Sequence, residues 1–200
     1  MAEHVSSLQP RGRGTKVKAA ICHILRGPLV VAVLACPSIS CAPGAHAEAA
    51  SGIEQAFADS LTALPTENVA ATGSFYVPVY SSVSMSQGKV RADFSVTLSI
   101  HNASETRPLM LRRIAYFDTA GKMVESYLKG PLALKPFSTI EVFVPTTDIR
   151  GGTGANFVVD WAATGEIAEP VIEALMVGGL GSGHYAFTTQ GRPVKVVGKN

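Results

Sequence analysis

Cysteine is scarce in this 200-residue sequence, and the three present, Cys22, Cys36 and Cys41, all fall within the first 47 residues. The chain beyond Ala47 has none, which excludes a disulfide framework there and leaves stability to the core alone. Histidine is nearly as rare, with only His101 and His184 after Ala47. Two distant histidines and no thiol do not supply the nitrogen and sulfur ligands of a zinc site. Asp118, Asp148 and Asp160 are the remaining oxygen ligands of interest, and their spacing is not that of a calcium loop. Charge is sparse too, at 16% of residues. Residues 1–47 hold five of the 17 basic residues and one of the 15 acidic ones, so the remainder carries 12 basic against 14 acidic groups. A nearly neutral body lacks the clustered basic face that nucleic acid requires.

Motifs for nucleotide and acyl chemistry are missing as well. The segment GGTGANFVVDW, Gly151 to Trp161, resembles a phosphate cradle only in its glycines. A phosphate loop needs a lysine and a following helix. Here there is no lysine, and the apolar run that follows has the alternation of a strand; the dinucleotide fingerprint fails for the same reason. We therefore expect a tight turn or bulge after Asp148, with Asn156 bonding to loop backbone and Phe157, Val159 and Trp161 on the core face. Ser182 is not in a nucleophile elbow, since the residues two positions away are Leu180 and His184 rather than glycines. No catalytic residue and no cofactor is expected from these patterns, although two carboxylates could still be paired by the fold.

What is present points first to export. Basic residues up to Arg26 precede an apolar stretch from Gly27 to Ala42, and Ala45-His46-Ala47 forms a small-x-small site for cleavage before Glu48. The uninterrupted apolar core is shorter than the roughly 20 residues of a membrane-spanning helix. Residues 1–47 thus read as a signal peptide, and the mature chain as periplasmic or secreted without a transmembrane segment. Val33-Leu34-Ala35-Cys36 offers an alternative, lipidation at Cys36, with a leucine where a small residue is usual.

Residues 48–73 read as a linker with one short helix, in which Ile53, Phe57, Leu61 and Leu64 recur at helical spacing before Pro65. From 74 to 191 the signals are those of strands, rich in Val, Ile, Tyr, Phe and Thr. Phe94, Val96, Leu98 and Ile100 alternate with Ser95, Thr97 and Ser99, a half-buried strand by its period of two. Asp118 to Lys122 reads as a hairpin turn with Gly121 at positive φ. Pro78 marks a sheet edge or bulge, because proline cannot donate to a ladder. EPVIEALMVGG fits a strand, although Ile172, Leu175 and Met176 would also line a helix; GLGSGH then turns into a last strand, and 192–200 form a tail. Seven or eight short strands with turns between them indicate an all-β, two-sheet antiparallel sandwich of immunoglobulin-like type.

The runs FYVPVYS, VTLSIHN, YFDTAGKMVESYL, GGTGANFVVDW and EPVIEALMVG together resemble a family of exported bacterial proteins, the domain-of-unknown-function family numbered three-one-two-four. The resemblance extends from about Phe75 to about Gln190. It implies export and an all-β domain, and it brings no catalytic residues.

A binding or interaction module of the cell envelope is the function these readings favour, with an unidentified protein or small molecule as partner. The expected surface is the loop from Asp148 through Gly152 to Asn156 beside the Asp118 hairpin, since loops on a rigid sandwich commonly carry function; Asp160 is a further candidate. Tyr76, Tyr80, Tyr116 and Tyr127 are expected mostly in the core. The alternatives are an envelope hydrolase using paired carboxylates such as Asp118 and Asp160, and a lipid-anchored structural protein.

Overall fold

The computed structural model describes residues 52–194. The signal-peptide reading, with its cleavage after Ala47 and the alternative lipidation at Cys36, lies outside the described residues. Helix α1 (Gly52–Ala56) and a single 3-10 turn (Ala58–Ser60) lead into twelve strands. They are β1 (Leu61–Thr62), β2 (Ala71–Pro78), β3 (Ser82–Met85), β4 (Val90–His101), β5 (Leu109–Phe117) and β6 (Met123–Ser126). These are followed by β7 (Leu132–Leu134), β8 (Thr139–Val144), β9 (Asn156–Ala163), β10 (Val171–Leu180), β11 (Gly183–Gln190) and β12 (Arg192–Pro193). One sheet has seven strands in the order β1-β7-β5-β9-β2-β12, with β6 also on β5; the other has five in the order β11-β10-β4-β3, with β8 also on β4. All the ladders are antiparallel. The expected sandwich is the observed fold.

The period-two reading places the core. Phe94, Val96, Leu98 and Ile100 of β4 are buried, as are Ile172, Ala174 and Met176 of β10 beside them. Opposite them, Phe157, Val159 and Trp161 of β9 and Ile114 and Tyr116 of β5 are buried from the other sheet. Each such aliphatic side chain removed from water contributes roughly 1.5–3 kcal/mol. Strand parity also resolves the ambiguity in EPVIEALMVGG: Leu175 is exposed between buried Ala174 and Met176, as a strand requires and a helix would not.

Three local differences from the sequence reading have identifiable causes. The helix stops at Ala56 rather than running to Leu64, because Leu61 and Thr62 pair with Leu134 and Ala133 of β7. The Ser60 carbonyl is taken by the Lys135 N–H at 3.0 Å and by the Ser138 hydroxyl at 2.9 Å. Ile53 and Phe57 still pack on the core. The strand count exceeds eight because β1, β7 and β12 are two or three residues long and β3 and β6 only four, too short for a periodic pattern to reveal them all. Arg192 and Pro193, read as the start of a tail, pair with Tyr76 and Phe75 of β2. That pairing stops short of Pro78, so β12 does not call on the N–H that a proline lacks, as a proline in a sheet demands.

Asn102, immediately after β4, joins the two sheets. Its Nδ2 donates to the carbonyls of Arg107 (2.8 Å), Lys135 (3.0 Å) and Leu134 (3.3 Å), and its Oδ1 accepts from Ser104 N (3.0 Å). The residue is 2% exposed. It thus ties the end of β4 in the five-stranded sheet to the end of β7 in the seven-stranded one.

Candidate functional site

The loop and hairpin favoured from the sequence do come together. Asp118 Oδ1 accepts from Ala120 N (2.9 Å) and Lys122 N (2.8 Å), an Asx-type turn, and Gly121 has φ +78° as expected. Thr119 then reaches the glycine loop: its N–H and its hydroxyl both donate to the Gly151 carbonyl (3.0 and 2.9 Å), and its Oγ1 accepts from Gly154 N (2.9 Å). Gly152 lies at φ +72°, where a side chain is disfavoured, and donates its N–H to Ser81 Oγ at 2.8 Å. The GGTGANF segment is a 3-10 turn, Gly152–Gly154, feeding β9, and Asn156 is the first residue of that strand, in register with Pro78 and Phe117.

The polar groups of this corner are already engaged with one another. Asp148 holds Arg150 through two bonds of 2.8 and 2.7 Å, and Arg150 extends to Glu125 at 3.7 Å. The hydrogen bonds from Arg150 hold the Asp148 carboxyl below the ordinary aspartate range. A depressed acid stabilises the fold above its unfolded-state value, and that contribution fades as pH falls through the folded-state value. In a pH titration followed by carboxyl-carbon NMR, the Asp148 midpoint should lie below those of ordinary aspartates, and Arg150→Gln should return it to them. A midpoint unmoved by the substitution would refute the pairing. Beneath the loop, burial raises the phenol of Tyr116, and burial pushes Tyr127 up to about 12. Among the described residues Tyr116 Oη has no hydrogen-bond partner; Ser81 lies close enough to oppose the rise, but its hydroxyl is engaged with Gly152.

Asp160 stands apart from that corner. The β5–β9 register sets Phe117 opposite Asn156 and Arg113 opposite Asp160. Asp118 and Asp160 are thus about five residues apart along the strands, roughly 16 Å at 3.3 Å per residue. Carboxylate-pair glycosidases need separations of about 5–10 Å, so these two acids do not form such a pair. Asp160 instead accepts from Ser74 Oγ (2.5 Å) and pairs with Arg113 Nε (2.7 Å). Around it lies an open cleft of about 710 Å³ lined by Thr72, Gly73, Ser74, Arg112, Arg113, Asp160, Trp161 and Val194.

Two features of the surface escaped the sequence reading. The first is that β5 is bulged: the register shifts between Leu111 and Arg113, so Arg112 is an extra residue and both arginines are exposed. The signal was legible in the Arg-Arg pair inside an alternating strand, since one of the two would otherwise face the core. The second feature is the outer face of the five-stranded sheet. Phe143, Thr97, Leu175 and Thr188 form one cross-strand row, and Ser95, Val177 and Ala186 the next. Phe143 is 57%, Leu175 40% and Val177 43% exposed. Beside them, β11 ends the sheet among the described residues: GHYAFTTQ contains no Lys, Arg, Asp, Glu or Pro, and of the described strands it pairs only with β10. Its signal lay in VIEALMV, which is apolar on both faces. The tyrosines are divided: Tyr116 is fully buried and stacked on Phe157, Tyr80 and Tyr127 pack at the core's margin, and Tyr76 is exposed.

The fold therefore defines a two-sheet antiparallel β-sandwich with an open cleft on one sheet and, among the described residues, an exposed apolar face on the other. The chain belongs to the family described as "Protein of unknown function (DUF3124)", which matches residues 72–194. The resemblance read from residues 75–190 was to this same family. No curated protein matches the sequence. A solved structure titled "Crystal Structure of Thermotoga maritima 1070" has 11% identity and a TM-score of 0.37, covering 60% of this chain and 92% of that one. Nothing is transferred from it. Among the described residues, no helix is long and apolar enough to cross a membrane.

Proposed function

We propose that this protein is an exported, non-catalytic binding module of the cell envelope, and that it takes a protein partner on its five-stranded sheet. The observation that carries the reading is the combination of an uncharged edge, β11, left free among the described residues, with the exposed side chains of Leu175 and Val177 on the adjoining β10 and of Phe143 two strands further along the same face. Edge strands left free are normally blunted by lysine, proline or a bulge, because their open N–H and C=O groups template pairing with another chain. β11 has none of these devices. A partner presenting an extended, uncharged segment would add a strand there, with backbone bonds supplying affinity and alternate side chains supplying specificity. The basic leader, the Ala45-His46-Ala47 site and the cysteine-free body support export.

The test is a photo-crosslinking amino acid placed at Ala186 in the full chain, in its own cells, with Glu105 as the control position. Position 186 should give one adduct of discrete mass, and Thr188→Pro, which breaks the edge, should abolish it. An adduct of twice the chain's mass would make the partner a second copy. Absence of a discrete adduct, or an equal one from position 105, would overturn the proposal. The uncrosslinked chain in that sample should begin at Glu48; an acylated Cys36 would make it lipid-anchored instead.

A further inference from the structure

The Arg112 bulge lies on the other sheet and has no part in that reading. A bulge disrupts the ladder locally, and bulges concentrate where a side chain must be re-aimed. Here the extra residue keeps Leu111 and Ile114 fully buried while turning two consecutive guanidinium groups outward onto one cleft. Asp160 engages Arg113 through Nε at 2.7 Å and Nη2 at 3.4 Å, and is itself held by Ser74, so the Arg113 fork is fixed in place. Arg112, by contrast, makes no hydrogen bond or ion pair among the described residues. The cleft thus holds two positive groups against one negative one, with the hydroxyls of Thr72 and Ser74 on its wall. The register also puts Arg192 opposite Tyr76, on the same face of β2 as Thr72 and Ser74, which adds positive charge one strand away.

We propose that this cleft binds an oxyanion, the phosphate or carboxylate group of a small ligand, with Arg112 as its principal contact and Arg113 oriented beside it by Asp160. The planar guanidinium fork suits either anion, because it donates two parallel hydrogen bonds to a pair of acidic oxygens. An unpaired arginine next to a fixed one leaves those donors free, whereas the Arg150 fork in the loop corner is consumed by Asp148.

The experiment is a titration of the isotope-labelled mature chain with inorganic phosphate, and in a second arm with acetate, at constant ionic strength. Backbone amides are followed by NMR. Saturable shifts are expected at Thr72 to Ser74, Arg112, Arg113 and Asp160. The arm that saturates at lower concentration identifies the anion class. Arg112→Gln should weaken binding at least tenfold, Arg112→Lys should fall between, and Lys89→Gln on a distant turn should change nothing. Because the Arg112 side chain makes no hydrogen bond or ion pair among the described residues and is exposed, these variants should keep the parent's spectrum elsewhere. Shifts that do not saturate, that spread over every surface arginine, or that persist unchanged in Arg112→Gln would overturn the proposal.

Discussion

Asn102→Ala is expected to destabilise the protein by about 3–4 kcal/mol, seen as a lower urea midpoint with an unchanged slope. The alanine removes the donor shared by the carbonyls of Arg107, Leu134 and Lys135 and the acceptor of Ser104 N. A buried polar group left unmade costs about 1–3 kcal/mol, and these four lie where two sheets and a turn meet. Against a typical total of about 5–15 kcal/mol the loss is large. Asn102→Asp sharpens the test. Three carbonyls and one N–H fix which end of the Asn102 amide donates, so a carboxylate there would face three carbonyl oxygens. Such a group ionises reluctantly in the folded chain, which raises its folded-state value above the unfolded one. The Asp variant should therefore be least stable at neutral pH and recover, relative to the parent, as pH falls through that raised value. A pH-independent difference between the two would sink the assignment of Nδ2 to the carbonyl cluster.

The second large effect concerns Gly151. Its backbone is ordinary, φ −66°, so glycine is required there by space and not by conformation. A methyl group would lie 2.6 Å from Tyr116 Cζ and 2.7 Å from Ala155 Cβ, with Tyr116 Oη nearer still. Tyr116 cannot yield easily: it is fully buried and stacked on Phe157 at 4.9 Å between ring centres. Overpacking of this kind costs about 2–3 kcal/mol. For a chain of this size the melting temperature should drop by roughly 5–10 °C. Tyr116→Phe by itself should be neutral or mildly stabilising, since it deletes a buried hydroxyl that has no partner among the described residues. In the Gly151→Ala background the same change should restore about 1 kcal/mol, a coupling that a double-mutant cycle measures directly. Additive effects would mean that the methyl group does not meet the phenol.

These two residues also show where sequence reading stops. Alternation in β4 and β9 revealed the core faces, because burial on one side of a pleated strand imposes a period of two on a single stretch of chain. The turn at Asp118, the positive φ of Gly121 and the edge position of Pro78 were equally legible, since each depends on the residue's own backbone chemistry. The absence of phosphate-loop and elbow motifs was read from spacing alone. In the sequence Asn102 is simply the last residue of the run VTLSIHN. Nothing local says that its amide will meet carbonyls 5, 32 and 33 residues away.

The candidate site divides in the same way. The sequence placed Asp118 and the Asp148–Asn156 loop side by side, and they are bonded through Thr119, yet it could not tell that Arg150 would consume Asp148. Nor could it separate Asp160 from them, since distance between strands is set by register. By itself the sequence determined the class of fold, the strand faces, the turns, and the concentration of cysteine before Ala47. Only the tertiary structure decided where β5 would bulge to bring Arg112 and Arg113 to one cleft, and which strand would be left as the free edge. The physical reason is range: propensity and periodicity act over neighbouring residues, whereas a bulge, a shared carbonyl cluster or an unpaired edge exists only once distant strands have chosen their partners.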